Sequence, residues 1–247
     1  MSQRKANWRV VIAALAILGA AICAAAQNGG GAVKHNTREP KAATKAAENT
    51  PPVEDVSYSY EFKKPEFFVR HIRIKHDANG RGEIFFERQG DVEPIVEPLE
   101  LSESSRTRIT SLWDALRFLD SSANYQADKQ FPHLGTMWLR MTRGTRERTA
   151  EFNWTNDPNA KALAEEYRRA ANQAIFVFDI SVARQIQPLD SPKLLDRLDL
   201  HLKRAELSDP QQLVPLLRDL HTDERLPLMT RNHAERILKK LEKLKTP

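Results

Sequence analysis

The chain has 247 residues, 40% of them hydrophobic and 29% charged, with a formal net charge of +5 and a single cysteine. That length suits one or two globular domains with a buried core. The composition excludes a collagen-like, mucin-like, disulfide-scaffold or wholly disordered chain, and a lone apolar run, Val10–Ala26, excludes a polytopic membrane protein.

The amino terminus reads as an export signal. Arg4, Lys5 and Arg9 precede the apolar stretch Val10–Ile22 without an intervening acid, small residues follow, and the chain turns polar at Gln27. Export peptidases cleave after such an order of cationic start, apolar centre and small residues. Ala26 and Gln27 flank the expected cut, with Ala24 as the second small residue. The competing reading is a retained membrane anchor, although the Ala-rich run falls short of the ~20 apolar residues of a typical span. Membrane contact through residues 10–26 is expected only in that case. Lipid attachment at Cys23 is disfavoured by Ile22, where a small residue would be needed. The flanking cations hold the start of the chain in the cytoplasm, so the remainder is expected to be exported, periplasmic or extracellular. Cleavage removes three cations, no acid and the one cysteine, leaving a thiol-free chain near +2. Disulfides, thiolate metal sites and cysteine nucleophiles go with it.

Residues 27–55, with a glycine triplet, an Ala/Lys/Thr mixture and Pro51-Pro52, have little to bury and are expected to be a flexible linker. A strand is predicted from Val56, where Tyr58, Tyr60 and Phe62 alternate with polar residues. A second runs over Phe67–His76, turning at Asp77–Gly80 into a third, Glu83–Arg88. The odd spacing of His71 and His76 sends them to opposite faces, so they cannot share a metal ion. Pro94 and Pro98 consign the next strand, Val92–Leu101, to a sheet edge.

Ser102 is placed to cap a helix with an apolar stripe of Ile109, Leu112, Trp113, Leu116 and Leu119. A second hairpin is predicted over Gly135–Arg143 and Glu147–Trp154, followed by a long helix from Asp157-Pro158. The order β-β-β-β-α-β-β-α lacks βαβ units and predicts an α+β fold, with an antiparallel sheet of about six strands and two helices packed on it. From Ser191 onward the pattern is helical, with three helices opened by Ser191-Pro192, Asp209-Pro210 and Thr222. The expected domains are therefore an α+β domain at 56–188 and a helical bundle at 189–247.

The segments YSYEFKKPEFFVRHI, ANGRGEIFFER and PLELSESSRTRITSLWDALRFLD are similar to those of a family of uncharacterised secreted bacterial proteins with no assigned function. The resemblance supports the architecture and brings no catalytic residues. LVPLLRDLHTDERLPLMTRNHAERILKKL resembles one unit of a HEAT-type solenoid, in a single copy.

Chemistry-bearing motifs are few. The sequence has no Gly-x-Ser-x-Gly elbow, phosphate-binding loop or helical histidine pair at metal spacing, and no cofactor is expected. Glu165 and Glu166, adjacent on a helix, read as a solvated face. Asp179, inside an apolar run, is expected to cap a helix turn or point to water, the alternative being a buried functional acid. Arg140, Arg143, Arg146 and Arg148 surround Trp138 and Trp154. With Glu147 and Glu151 among them, they read as a solvated sheet face that an acidic protein or envelope polymer would suit. Export argues against a nucleic-acid partner. The aperiodic stretch Asp120–Leu134 offers Tyr125, Phe131 and His133 as a recognition surface, unless these rings pin the loop to the core. Tyr125, Phe131, His133, Trp138 and Arg140 form the candidate binding surface. The leading reading is an exported, non-catalytic module that binds a protein or envelope component. The alternatives are an envelope hydrolase with acid/base residues from distant strands, among them Asp179 or His133, and a structural envelope protein.

Overall fold

A computed structural model describes residues 55–245 of the chain. The expected signal segment with its Ala26–Gln27 junction, and the expected linker except Asp55, lie outside the described residues. Among those described, no helix is long and apolar enough to cross a membrane.

Six antiparallel strands form one sheet: β1 (Val56–Lys63), β2 (Val69–Asp77), β3 (Arg81–Arg88), β4 (Ile95–Glu100), β5 (Thr136–Arg143) and β6 (Arg146–Phe152), in the order β4-β3-β2-β1-β5-β6. The alternation seen in the sequence sets the faces. Tyr58, Tyr60, Ile72, Ile74 and His76 point into the core, while Ser59, Glu61, His71, Arg73 and Lys75 lie on the opposite face. His71 and His76 are thus separated by the sheet.

Some local details differ from the sequence reading. β2 starts at Val69, because Phe67 and Phe68 belong to a turn in which Phe67 N–H bonds the Lys64 carbonyl. β4 starts at Ile95, just past Pro94, and lies at the sheet edge as the prolines required. In the β2–β3 turn only Gly80 adopts positive φ (79°), while Asp77 Oδ1 accepts the N–H groups of Asn79 and Arg81. Gly80 is therefore the left-handed residue of the turn, as in hairpin loops longer than two residues.

α1 (Glu103–Leu116) is capped by Ser102 Oγ, which accepts the Ser105 N–H, and ends at a left-handed Arg117. Leu119 therefore falls beyond the helix and not on its stripe. α2 (Pro158–Ile186) starts where Asp157 accepts two amide hydrogens, with proline in the first turn. α3 (Ser191–Lys203), α4 (Val214–Thr222) and α5 (Leu228–Lys245) complete the chain. Thr222 closes α4 instead of opening α5, its hydroxyl donating back to the Arg218 carbonyl.

Two apolar clusters hold the structure. The first joins the inner sheet face to α1 and to α2 as far as Ile175, with Trp113, Tyr60, Tyr167 and Phe86 almost fully buried. Each such side chain contributes about 1.5–3 kcal/mol by leaving water. The second begins at Phe176, still within α2, and gathers leucines of α3 and α4 with Ile237, Leu238 and Leu241 of α5. The bundle is therefore four-helical, and the changeover between cores falls inside α2, not in the connection near residue 188. The described residues form one compact unit.

Candidate functional site

Helices α1 and α2 cover only the inner sheet face, leaving the other to carry the polar side chains of the alternating strands. Register places Lys75, Ser59, Arg140 and Thr149 in one row across β2, β1, β5 and β6. The next row is Arg73, Glu61, Trp138 and Glu151. Ser59 and Thr149 are short, whereas their neighbours are long, so a concavity of about 430 Å³ forms between Lys63, Arg73, Trp138 and Arg140. Glu61 is its one acidic lining residue.

The cations of this concavity differ in how firmly they are held. Lys63 Nζ lies 2.7 Å from Glu61 and 5.6 Å from the centre of the Trp138 ring. Arg140 pairs with Glu147 at 2.7 Å, both half-exposed, where water screens the attraction and makes the pair exchangeable. Arg73 rests over the Phe85 ring at 4.8 Å and has no carboxylate partner among the described residues. Glu61 and Glu87 also flank His71, at 2.9 and 3.6 Å. Glu61 is held below the usual carboxylate range: burial opposes this, but hydrogen bonds and charge from Lys63 and His71 outweigh it. The Trp138 indole donates to Glu151 at 2.9 Å, which fixes the ring on the face. Such a surface presents guanidinium and ammonium donors beside an aromatic plane, and suits carboxylate-bearing ligands.

Of the five surface residues expected from sequence, this face unites Trp138 and Arg140. Tyr125 is a core residue, only 4% exposed, stacked on Phe118 and crossed by Arg148. It pins the loop, and so is withdrawn from the recognition surface. Phe131 and His133 remain outside, in contact with each other and, through Phe131, with Trp154. No carboxylate contacts His133 among the described residues. The four arginines of the second hairpin do not form one cluster: Arg146 and Arg148 turn toward the α1–β5 connection, where Arg148 donates to the carbonyls of Phe118 and Ala123.

Two carboxylates also depart from expectation. Glu166 is 2% exposed, not solvated. It accepts from Arg108 at 2.8 Å, Arg169 at 2.9 Å and the Ser208 hydroxyl at 2.7 Å. Ser208 lies 2.7 Å from Ser105, and Arg108 also reaches the Ser208 carbonyl, so one network joins α1, α2 and the α3–α4 connection. A carboxylate neutralised by two guanidinium groups is a clamp and a poor general base. Asp179 neither caps a turn nor points to water. Its side chain, 9% exposed, bridges Arg88 of β3 at 2.7 Å and Arg197 of α3 at 3.2 Å. The helical pattern of α2 hints that Glu166 and Asp179 lie near its apolar stripe, yet their partners are remote in sequence and had no local signal.

The chain matches no family model, and a search of characterised proteins finds no match.

Proposed function

We propose that this protein is an exported, extracytoplasmic binding module that holds an acidic protein or envelope polymer on the open face of its sheet. The observation that carries the reading is the concavity of Lys63, Arg73, Trp138 and Arg140, in which Arg73 has no carboxylate partner among the described residues. Three cations against one acid attract polyanions, and Trp138 adds a flat apolar contact that gives the site orientation. The acids of β3 and β6 at the margins confine that attraction to the middle of the face. Export rests on the cationic start, the apolar run and the Ala24/Ala26 junction. The mass of the exported protein is expected to begin at Gln27; a mass that includes residues 1–26 contradicts cleavage.

Fluorescein-labelled hexaglutamate serves as the probe for the face. Binding is expected to weaken from 0.05 to 0.5 M salt and to fall at least about tenfold in Arg73→Gln/Arg140→Gln, since each lost charge contact is worth about 1 kcal/mol in water. Equal binding by wild type and variant, or no binding by either, contradicts the reading.

A further inference from the structure

A cavity of about 620 Å³ is a cleft between the free edge of β4, one face of α2 and the start of α4. Its α2 wall includes Ala170, Ala174, Val177, Phe178, Val182 and Gln185, at spacings of three and four, so it is one helical face about 22 Å long at ~1.5 Å per residue. Ala170 is buried in the first core and Ala174 and Phe178 pack against it, whereas Val177 and Val182, each 36% exposed, belong to neither core and leave the cleft wall apolar and open.

The opposite wall is an unpaired strand edge. Leu101 N–H bonds Gly80 O on the β3 side, whereas Gln212 Nε2 donates to Glu100 O at 2.9 Å. Alternation along β4 therefore turns the carbonyls of Val96 and Pro98 to the free side, with Glu100. Pro98 has no N–H, so at that position the edge offers an acceptor alone. Glu97 points inward beside Leu99 and has no ion-pair partner among the described residues, and no Lys, Arg or His lines the cleft; Glu100, of opposite parity on β4, pairs with Arg81 at 3.5 Å.

We propose that this cleft binds an extended polypeptide segment that sets a lysine or arginine against Glu97 and apolar side chains of the same face against the α2 stripe. Free carbonyls accept the segment's amide hydrogens, Glu97 selects a cation, and 22 Å accommodates about six extended residues at ~3.3 Å each. The inference is independent of the acidic-partner reading: it concerns another surface and a ligand of opposite charge.

The test measures fluorescence anisotropy of fluorescein-labelled Leu-Thr-Lys-Thr-Leu-Thr with the full chain. Two control peptides replace the lysine by glutamate or both leucines by serine. Saturable binding is expected for the first peptide, with at least tenfold weaker binding for each control. Glu97→Lys is expected to reverse the preference between the lysine and glutamate peptides, and Val177→Asp to weaken the lysine peptide at least tenfold. Both positions are partly exposed, and unchanged melting temperatures establish that the variants fold. Arg73→Gln is expected to leave this affinity unchanged. The proposal is overturned if the lysine peptide does not saturate, if Glu97→Lys binds it as well as wild type does, or if the affinity is lost in Arg73→Gln. It is equally overturned if sedimentation shows a dimer that Val177→Asp dissociates, for then a second copy occupies the cleft.

Discussion

His76 shows how much chemistry one inward-facing polar residue of a strand can carry. It is 3% exposed, with Nδ1 2.7 Å from the Asp77 carbonyl and Nε2 2.8 Å from the Tyr167 hydroxyl. A carbonyl only accepts, so Nδ1 bears the proton, and Nε2 accepts from Tyr167, whose oxygen accepts the Trp113 indole N–H. This chain is complete only with a neutral imidazole. Burial holds the His76 pKa below its ordinary value and also raises that of Tyr167; His233 is lowered in the same way. An unfolded histidine takes up its proton near pH ~6.5, so as pH falls through that value the unfolded chain binds more protons than the folded one. Stability is therefore full above about pH 7 and declines below it until the lower folded-state pKa is passed. Urea midpoints are expected to be lower at pH 5.5 than at 7.5, with a smaller drop in His76→Phe. A midpoint that rises on acidification contradicts this. Alternation in the sequence already set His76 on the face opposite His71; its pairing with Tyr167, ninety-one positions away, left no local mark.

Among the elements, α2 is the one whose role the sequence understated. Its start, capped by Asp157, and much of its buried stripe were legible because caps and periodicity are local. That a single helix serves two cores was not, since the handover from Ile175 to Phe176 depends on which neighbours pack there. Glu165 and Glu166 make the point at one residue's resolution: they look alike in sequence, yet only Glu166 faces the α1 and α3–α4 partners. Glu166→Ala is expected to cost about 2–3 kcal/mol, because Arg108 and the buried Ser208 hydroxyl lose their acceptor. That corresponds to a melting temperature roughly 5–10 °C lower for a domain of this size. Glu165→Ala, which touches only the half-exposed Arg169 at 4.0 Å, is expected to stay within about 0.5 kcal/mol. Equal melting shifts for the two variants would show that the network does not clamp α1 to the bundle. Asp179 likewise ties β3 to α3, so ion pairs link both cores on two sides of α2.

Across the whole molecule, the sheet's two faces divide the labour. The inner face, with α1 and α2, supplies the core. The outer face keeps Trp138 and Arg140 beside Lys63 and Arg73, a grouping set by pairing β1 with both β2 and β5. Each strand was visible in the sequence, but β1's place at the centre of the sheet was not, because strand order depends on contacts between distant segments. The aperiodic loop drew attention through its length, whereas its tyrosine proved to be an anchor and the exposed cations beside Trp138 lie on the strands. The acidic-partner account is tested most directly by titrating hexaglutamate into isotopically labelled protein and following the tryptophan indole and arginine Nε resonances. The account predicts saturating shifts at Trp138, Arg73 and Arg140, with Trp113 and Trp154 unmoved. Shifts confined to Trp154 and the 120–134 loop, or none at Trp138, would contradict it.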